Sequence, residues 1–227
     1  MNLRTLSIIL SATIITLVSC DAQKDSSKAV SLSSEVDSAS YALGVSFGSQ
    51  IKGQFKDINL DALASGINDA YDDSTKISLQ QARPILQAYA QKLKQKAAEE
   101  NKKKAEDFLA ENAKKEGVEV TESGMQYKVI EAGSGPKPTE SDTVKVHYHG
   151  TLIDGTVFDS SKERGKPVTF GVTKVIDGWT EALQMMSVGA KWEIYLPPSL
   201  GYGQRGAGQD IGPNSALIFE IELLGIE

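Results

Sequence analysis

After Pro84 no proline or glycine occurs until Gly117, and this uninterrupted run constrains the chain more than any other feature. Ser78, with Gln81 three residues on, has the spacing of a capping box, so the pattern predicts one helix from Ser78 to about Lys115. At 1.5 Å per residue it would be roughly 55 Å long. Pro84 falls in its second turn, where it bends the start or delays it. Leu86, Tyr89, Leu93 and Ala97 make an apolar stripe that resumes at Ala105, Phe108 and Leu109. The intervening run AEENKKK is charged on nearly every side, so this cannot be a core helix. Its middle reads as a strut standing in water, with Glu99–Lys103 and Glu100–Lys104 spaced for i,i+4 pairing.

Ahead of the strut, residues 38–48 read as a short helix carrying Ala39, Ala42, Leu43 and Phe47. Residues 61–71 read as another, with Leu60, Leu63, Ile67 and Tyr71 on one face. Two such helices bury too little apolar surface to stand alone, so a second copy of the same segment is expected to complete their core. Net charge is −6, which lacks the basic footprint of a nucleic-acid binder. Lys102–Lys104 reads as a solvated helix face, and no nucleic-acid partner is expected.

Every proline but Pro84, and most glycines, lie beyond residue 123, where the pattern changes to strands and turns. In 143–152, Val144, Val146 and Tyr148 alternate with Lys145, His147 and His149. Asp154-Gly155 is a hairpin signal leading into 156–159. Trp192, Ile194 and Leu196 alternate with charged or polar neighbours, as do Leu217, Phe219, Ile221 and Leu223. Trp179, Ala182, Leu183 and Met186 fall on one face of a short helix between these strands. The expected fold is α+β: an antiparallel sheet wrapped around that helix, preceded by an all-α region.

At the other end, Leu6–Val18 is an apolar run of thirteen residues after a short basic start, too short for a comfortable membrane span and suited to a signal peptide. Leu17-Val18-Ser19-Cys20 resembles the lipobox of bacterial lipoproteins, which implies cleavage before Cys20 and lipid attachment to it. The alternative is a plain secretory signal with an incidental cysteine. Residues 1–19 are therefore expected to be a signal peptide and 20–34, polar and free of aromatics, a tether. The expected location is the bacterial cell envelope, with a membrane contact through Cys20.

The sequence contains no GxSxG, P-loop, HExxH or strand-borne GxGxxG, and its one cysteine is Cys20. His147 and His149 could share a metal, but nothing else at ligand spacing joins them, and neither metal nor cofactor is expected. Any catalysis must then work by binding and desolvation.

Four segments carry a specific resemblance: VKVHYHGTLIDGTVFDSS over 144–161, VIDGW over 175–179 with Ala182-Leu183, PPSLGYG over 197–203, and IGPNSALIF over 211–219. In order and spacing they resemble FKBP-type peptidyl-prolyl cis/trans isomerases, and the resemblance covers residues 117–227. It implies a pocket for the proline ring with Trp179 as its floor and Tyr148, Phe158, Phe170, Val175, Ile176 and Phe219 as its walls. It further implies that the Ile176 N–H and the Tyr202 hydroxyl hold substrate carbonyls, that Asp159 is linked to Tyr148, and that Ile211 overhangs the edge. Tyr148, Asp159 and Tyr202 become the catalytic candidates. Macrolide inhibitors are implied as ligands, although Val168 stands where many eukaryotic relatives carry an aromatic.

The helical half, through Ser40-Tyr41-Ala42-Leu43-Gly44, the long helix and 123–129, resembles the macrophage infectivity potentiator class. That resemblance implies a homodimer formed through residues 35–116. The partners implied are proline-containing unfolded or extended polypeptides among exported proteins. A folding chaperone, with the pocket secondary, is the competing expectation.

Overall fold

The computed structural model describes residues 31–55 and 57–227. The expected signal peptide and Cys20, with most of the tether, lie outside the described residues. The chain divides into two units after Gln50.

Helix α1 spans Glu35–Gln54, longer at both ends than the expected 38–48. Ser34 starts it: its hydroxyl accepts from the Asp37 N–H at 3.0 Å, and the Asp37 carboxylate accepts from the Ser34 N–H in return. Glycines 44, 48 and 53 do not end the helix, although each costs it about 1 kcal/mol relative to alanine. Val36, Tyr41, Leu43, Val45 and Phe47 are all exposed along it.

In the second unit, α2 (Leu60–Tyr71) is capped by Asn59, whose side chain accepts from the N–H groups of Asp61 and Ala62. The strut is α3, Leu79–Asn112. Its capping box is formed by Ser78 and Gln81, and Pro84 is accommodated inside it, so the proline does not delay the start. The expected Glu99–Lys103 and Glu100–Lys104 pairs give way to Lys96–Glu100, Lys102–Glu106 and Lys103–Asp107. All are solvent-exposed and worth at most a few tenths of a kcal/mol each. Leu60, Ile67 and Tyr71 of α2 and Leu79, Ile85 and Leu86 of α3 are exposed. Further along, Ala105 and Asn112 are fully buried.

The remaining chain makes one seven-stranded antiparallel sheet. Its strands are β1 (Val118–Val120), β2 (Gln126–Ala132), β3 (Thr143–Leu152), β4 (Val157–Ser160), β5 (Val168–Gly171), β6 (Ala190–Leu196) and β7 (Leu217–Ile226). They run in the order β1-β2-β6-β7-β3-β4, and β5 pairs with β3 beside β4. Register aligns the inward residues: Tyr148 and Trp192 both face Ile221, and Ile194 faces Phe219. Helix α4 (Asp177–Met185) presses Trp179, Ala182 and Leu183 against this face. Gly178 belongs to that contact, because a Cβ there would come within 2.4 Å of Leu196.

The opposite face of the sheet is charged at its centre, where Lys162 and Lys191 both bridge to Glu220. Toward β2 it is covered by the end of α3. Phe108 packs at 6.1 Å from Tyr195, the Asn112 amide donates to Gln126 Oε1 at 2.9 Å, and the Gln126 amide donates to the Leu109 carbonyl at 2.8 Å. The last turns of the strut are thus part of the packed body, a role the solvated AEENKKK run conceals.

Candidate active site

Strand β3 and the turn after β4 set the geometry. Ser161 is fully buried, and its hydroxyl accepts from the Tyr148 N–H at 2.7 Å, pinning the turn to the strand. Gly150 lies beside it. A Cβ there would stand 2.8 Å from the Phe158 ring and 2.9 Å from Phe219, so only glycine lets both rings close over the strand.

The result is a set of edge-on rings around Trp179. Its indole meets Tyr148 at 5.2 Å, Phe219 at 5.3 Å and Phe170 at 5.8 Å, each near perpendicular, and Phe158 meets Phe219 at 5.4 Å. Such contacts add about 0.5–1.5 kcal/mol each beyond area burial. They border a cavity of about 530 Å³. All ten pocket residues expected from the sequence line it: Tyr148, Phe158, Asp159, Phe170, Val175, Ile176, Trp179, Tyr202, Ile211 and Phe219. Val168 is not among the lining residues and packs half-buried against the core.

One polar group is fixed at the rim. The Tyr148 hydroxyl donates to Asp159 Oδ2 at 2.5 Å. Arg164 donates to the other carboxylate oxygen of Asp159 and, at 2.8 Å, to the Tyr148 hydroxyl, with its guanidinium over the Tyr148 ring. Burial, the largest influence on Asp159, pushes its carboxyl up, but the hydrogen bonds from Tyr148 and Arg164 outweigh it and hold the group below the usual carboxylate range. Burial and the bond to Asp159 raise the Tyr148 phenol. Tyr202 is raised as well, by burial and by the charge of Asp159. At neutral pH this rim therefore holds a carboxylate, a guanidinium and two neutral phenols.

Other polar groups are open toward the cavity. Among the described residues, neither the Ile176 N–H nor the Tyr202 hydroxyl has a protein partner. Ile176 is the N-cap of α4, so its N–H precedes the helical bonding pattern.

Sequence reading missed Arg164. A single arginine in a turn carries no local signal, and only the fold brings it back over Tyr148. It also missed Lys174, whereas Ala207, Gly208 and Asp210 line the cavity from the Gly201–Gly212 loop, which the resemblance implies as its overhanging edge together with Ile211. His147 and His149 lie outside the cavity, with their Nδ1 atoms 3.0 Å from the hydroxyls of Ser161 and Ser160. No cluster of three or more candidate metal-binding side chains occurs among the described residues.

Residues 135–224 match the model of the FKBP-type peptidyl-prolyl cis-trans isomerase domain, and residues 36–129 match that of the domain amino-terminal to it. The chain is 47% identical over 207 residues to the outer membrane protein MIP of Legionella longbeachae, covering 88% of this chain and 89% of that protein. It is 46% identical over 197 residues to the FKBP-type 22 kDa peptidyl-prolyl cis-trans isomerase of Escherichia coli K12, covering 83% and 94%. Among solved structures, that of FkpA from Escherichia coli aligns with a TM-score of 0.68 at 38% identity, over 87% of this chain and 99% of that one.

Proposed function

We infer the roles of individual residues from one premise: the chain belongs to the FKBP-type peptidyl-prolyl cis-trans isomerase family and is a peptidyl-prolyl cis-trans isomerase. The observation that carries the site reading is the gathering of ten separately expected residues around one cavity. The proline ring sits on Trp179 between Tyr148, Phe158, Phe170, Val175 and Phe219, with Ile211 at the edge. The Ile176 N–H and the Tyr202 hydroxyl hold the flanking carbonyls.

Rotation about a peptide bond has a barrier of about 18–20 kcal/mol because it breaks amide resonance. A twisted amide is less conjugated than a planar one, and its oxygen is a weaker acceptor, so an apolar wall disfavours it less than it disfavours the planar ground state. Each 1.4 kcal/mol of that preference is about tenfold in rate. No proton needs to move. Asp159 orients Tyr148 and is itself held by Arg164.

An NMR exchange assay on a Xaa-Pro peptide tests these roles. The wild type accelerates exchange, and Tyr148→Phe with Asp159→Ala loses about tenfold or more in kcat/KM. Full activity in that double variant would remove both residues from the mechanism. Competition by a macrolide checks that the same pocket takes such ligands.

The remaining features are proposed on sequence grounds. Residues 35–116 form the dimerisation region and 117–227 the isomerase domain. Exposed Tyr41, Leu43, Leu60, Ile67 and Leu86 support a second copy as the missing cover. Cys20 is the lipid-attachment site that holds the protein in the cell envelope, supported by the Leu17–Cys20 motif and by a relative named as an outer membrane protein. No described helix is long and apolar enough to cross a membrane. The clients are proline-containing segments of exported proteins. No observation favours a chaperone in place of the enzyme.

A further inference from the structure

The loop between β6 and β7 supplies a whole side of the cavity: Tyr202, Ala207, Gly208, Asp210 and Ile211. It is an excursion held to itself by few bonds. Ala207 and Ile211 exchange backbone hydrogen bonds at 2.9 and 3.1 Å, and Gly206 allows this turn because a Cβ there would lie 2.2 Å from the Ile211 carbonyl. Its far end is tied elsewhere. The Asn101 side chain, on the strut helix, donates to the Pro213 carbonyl at 2.9 Å. The Asn214 side chain donates back to the Ala98 carbonyl at 3.1 Å.

Three features make this pair a built contact. Asn214 has φ +54°, a left-handed conformation that asparagine tolerates better than most residues, and its N–H donates to the Gly203 carbonyl at 2.8 Å. That bond closes the loop at the point where the side chain reaches the helix. Gly212 leaves room for the amide, since a Cβ there would stand 2.9 Å from Asn101 Nδ2. The helix is not free to swing away, because Ala105 and Asn112 are buried further along it and Asn112 is bonded to Gln126 of β2.

We propose that Asn101 and Asn214 are positioning residues for isomerisation, which brace the Gly203–Asn214 loop against α3 so that Tyr202 and Ile211 stay in place for substrate. The inference rests on the reading of the cavity as the catalytic pocket. It implies that the working isomerase extends back into the strut as far as Ala98. Loosening the brace leaves Trp179 and the aromatic walls untouched, since these are held by α4 and the sheet. Substrate binding should therefore suffer more than turnover.

The test uses the full chain and three variants: Asn101→Ala, Asn101→Asp and Asn214→Gly. The aspartate keeps size and shape but turns the donor into an acceptor facing the Pro213 carbonyl. The glycine keeps the left-handed backbone accessible while removing the donor. One hydrogen bond is worth about 0.5–1.5 kcal/mol, so each variant should raise KM about two- to tenfold with kcat changed less than about twofold. Hydrogen exchange at the Ala207 and Ile211 amides should speed up by a similar factor, while amides of the β6–β7 ladder keep their protection. Unchanged KM together with unchanged exchange at Ala207 and Ile211 would overturn the proposal. So would equal loss of protection in the loop and the ladder, which would mark a general stability effect. An inactive wild type would instead remove the catalytic reading of the pocket, and the exchange data would still decide whether the brace holds the loop.

Discussion

The helices before Ala97 and the sheet domain beyond it solve the same problem to different degrees. In the sheet domain every large inward side chain has a neighbour: Trp179 is 4% exposed and Ile194, Leu196 and Leu223 are fully buried. In the helical region, Leu43 is 73% and Tyr71 90% exposed. Amphipathic stripes are written into both, but in the helical region large apolar side chains stay exposed. That region is where association is expected.

Trp179→Ala should make the sharpest contrast. Emptying the centre of the ring cluster should cost about 3–5 kcal/mol in urea unfolding and remove most activity. Leu43→Ala, on an exposed helix face, should change stability by less than about 0.5 kcal/mol in the dissociated chain. Equal losses from the two would mean that the helical region is as well packed as the sheet.

Removing the residues before Ala97 should next convert a dimer into a monomer by light scattering, with kcat/KM on a short peptide within about twofold. The brace at Ala98 and Asn101 stays in that chain, whereas a start at Gly117 takes it away. A persistent dimer would place association in the sheet domain instead.

Asp159→Asn should reduce kcat/KM about three- to tenfold by loosening Tyr148, without changing the oligomer. The smallest effect is in the pH profile. Asp159 is lowered and Tyr148 raised, so kcat/KM should be flat from about pH 5 to 9. Because the folded carboxyl titrates below its unfolded value, its contribution to stability is present above about pH 4 and is lost as pH falls through the folded value. An acid limb in the profile that the wild type shows and Asp159→Asn loses would make Asp159 a general base and sink the positioning role.

The pocket is legible only through the joint order and spacing of four segments that resemble one family. Taken singly, Trp179 reads as a core residue and Gly201-Tyr202-Gly203 as a turn. The strands beginning with Thr143, Ala190 and Leu217 are readable from period-two alternation. Strands β1, β2 and β5 are not: β1 and β5 hold only three or four residues, and the alternation of β2 breaks at Val129-Ile130, where its register shifts. Helix α1 reads too short at its C-terminal end because Gly48 looks like a stop, whereas the helix runs on to Gln54. Arg164 and Asn101 were invisible for a different reason. Each acts on a group distant in sequence, Asn101 on a carbonyl 112 positions away, and a polar residue in a turn or on a helix looks solvated until its partner arrives.

Both tryptophans of the chain lie in the sheet domain: Trp179 inside the ring cluster, and Trp192 stacked on Tyr127 at 4.6 Å. Tryptophan-selective emission will therefore report on the pocket floor and on the β2–β6 pair, while residues 35–96 carry no tryptophan, only the tyrosines Tyr41, Tyr71 and Tyr89, and stay outside it. Replacing Trp192 by phenylalanine would leave one tryptophan, a built-in optical gauge of pocket occupancy. Far-ultraviolet dichroism would be dominated by the helices. If the two regions melt separately, these two spectra will part company in a single thermal scan.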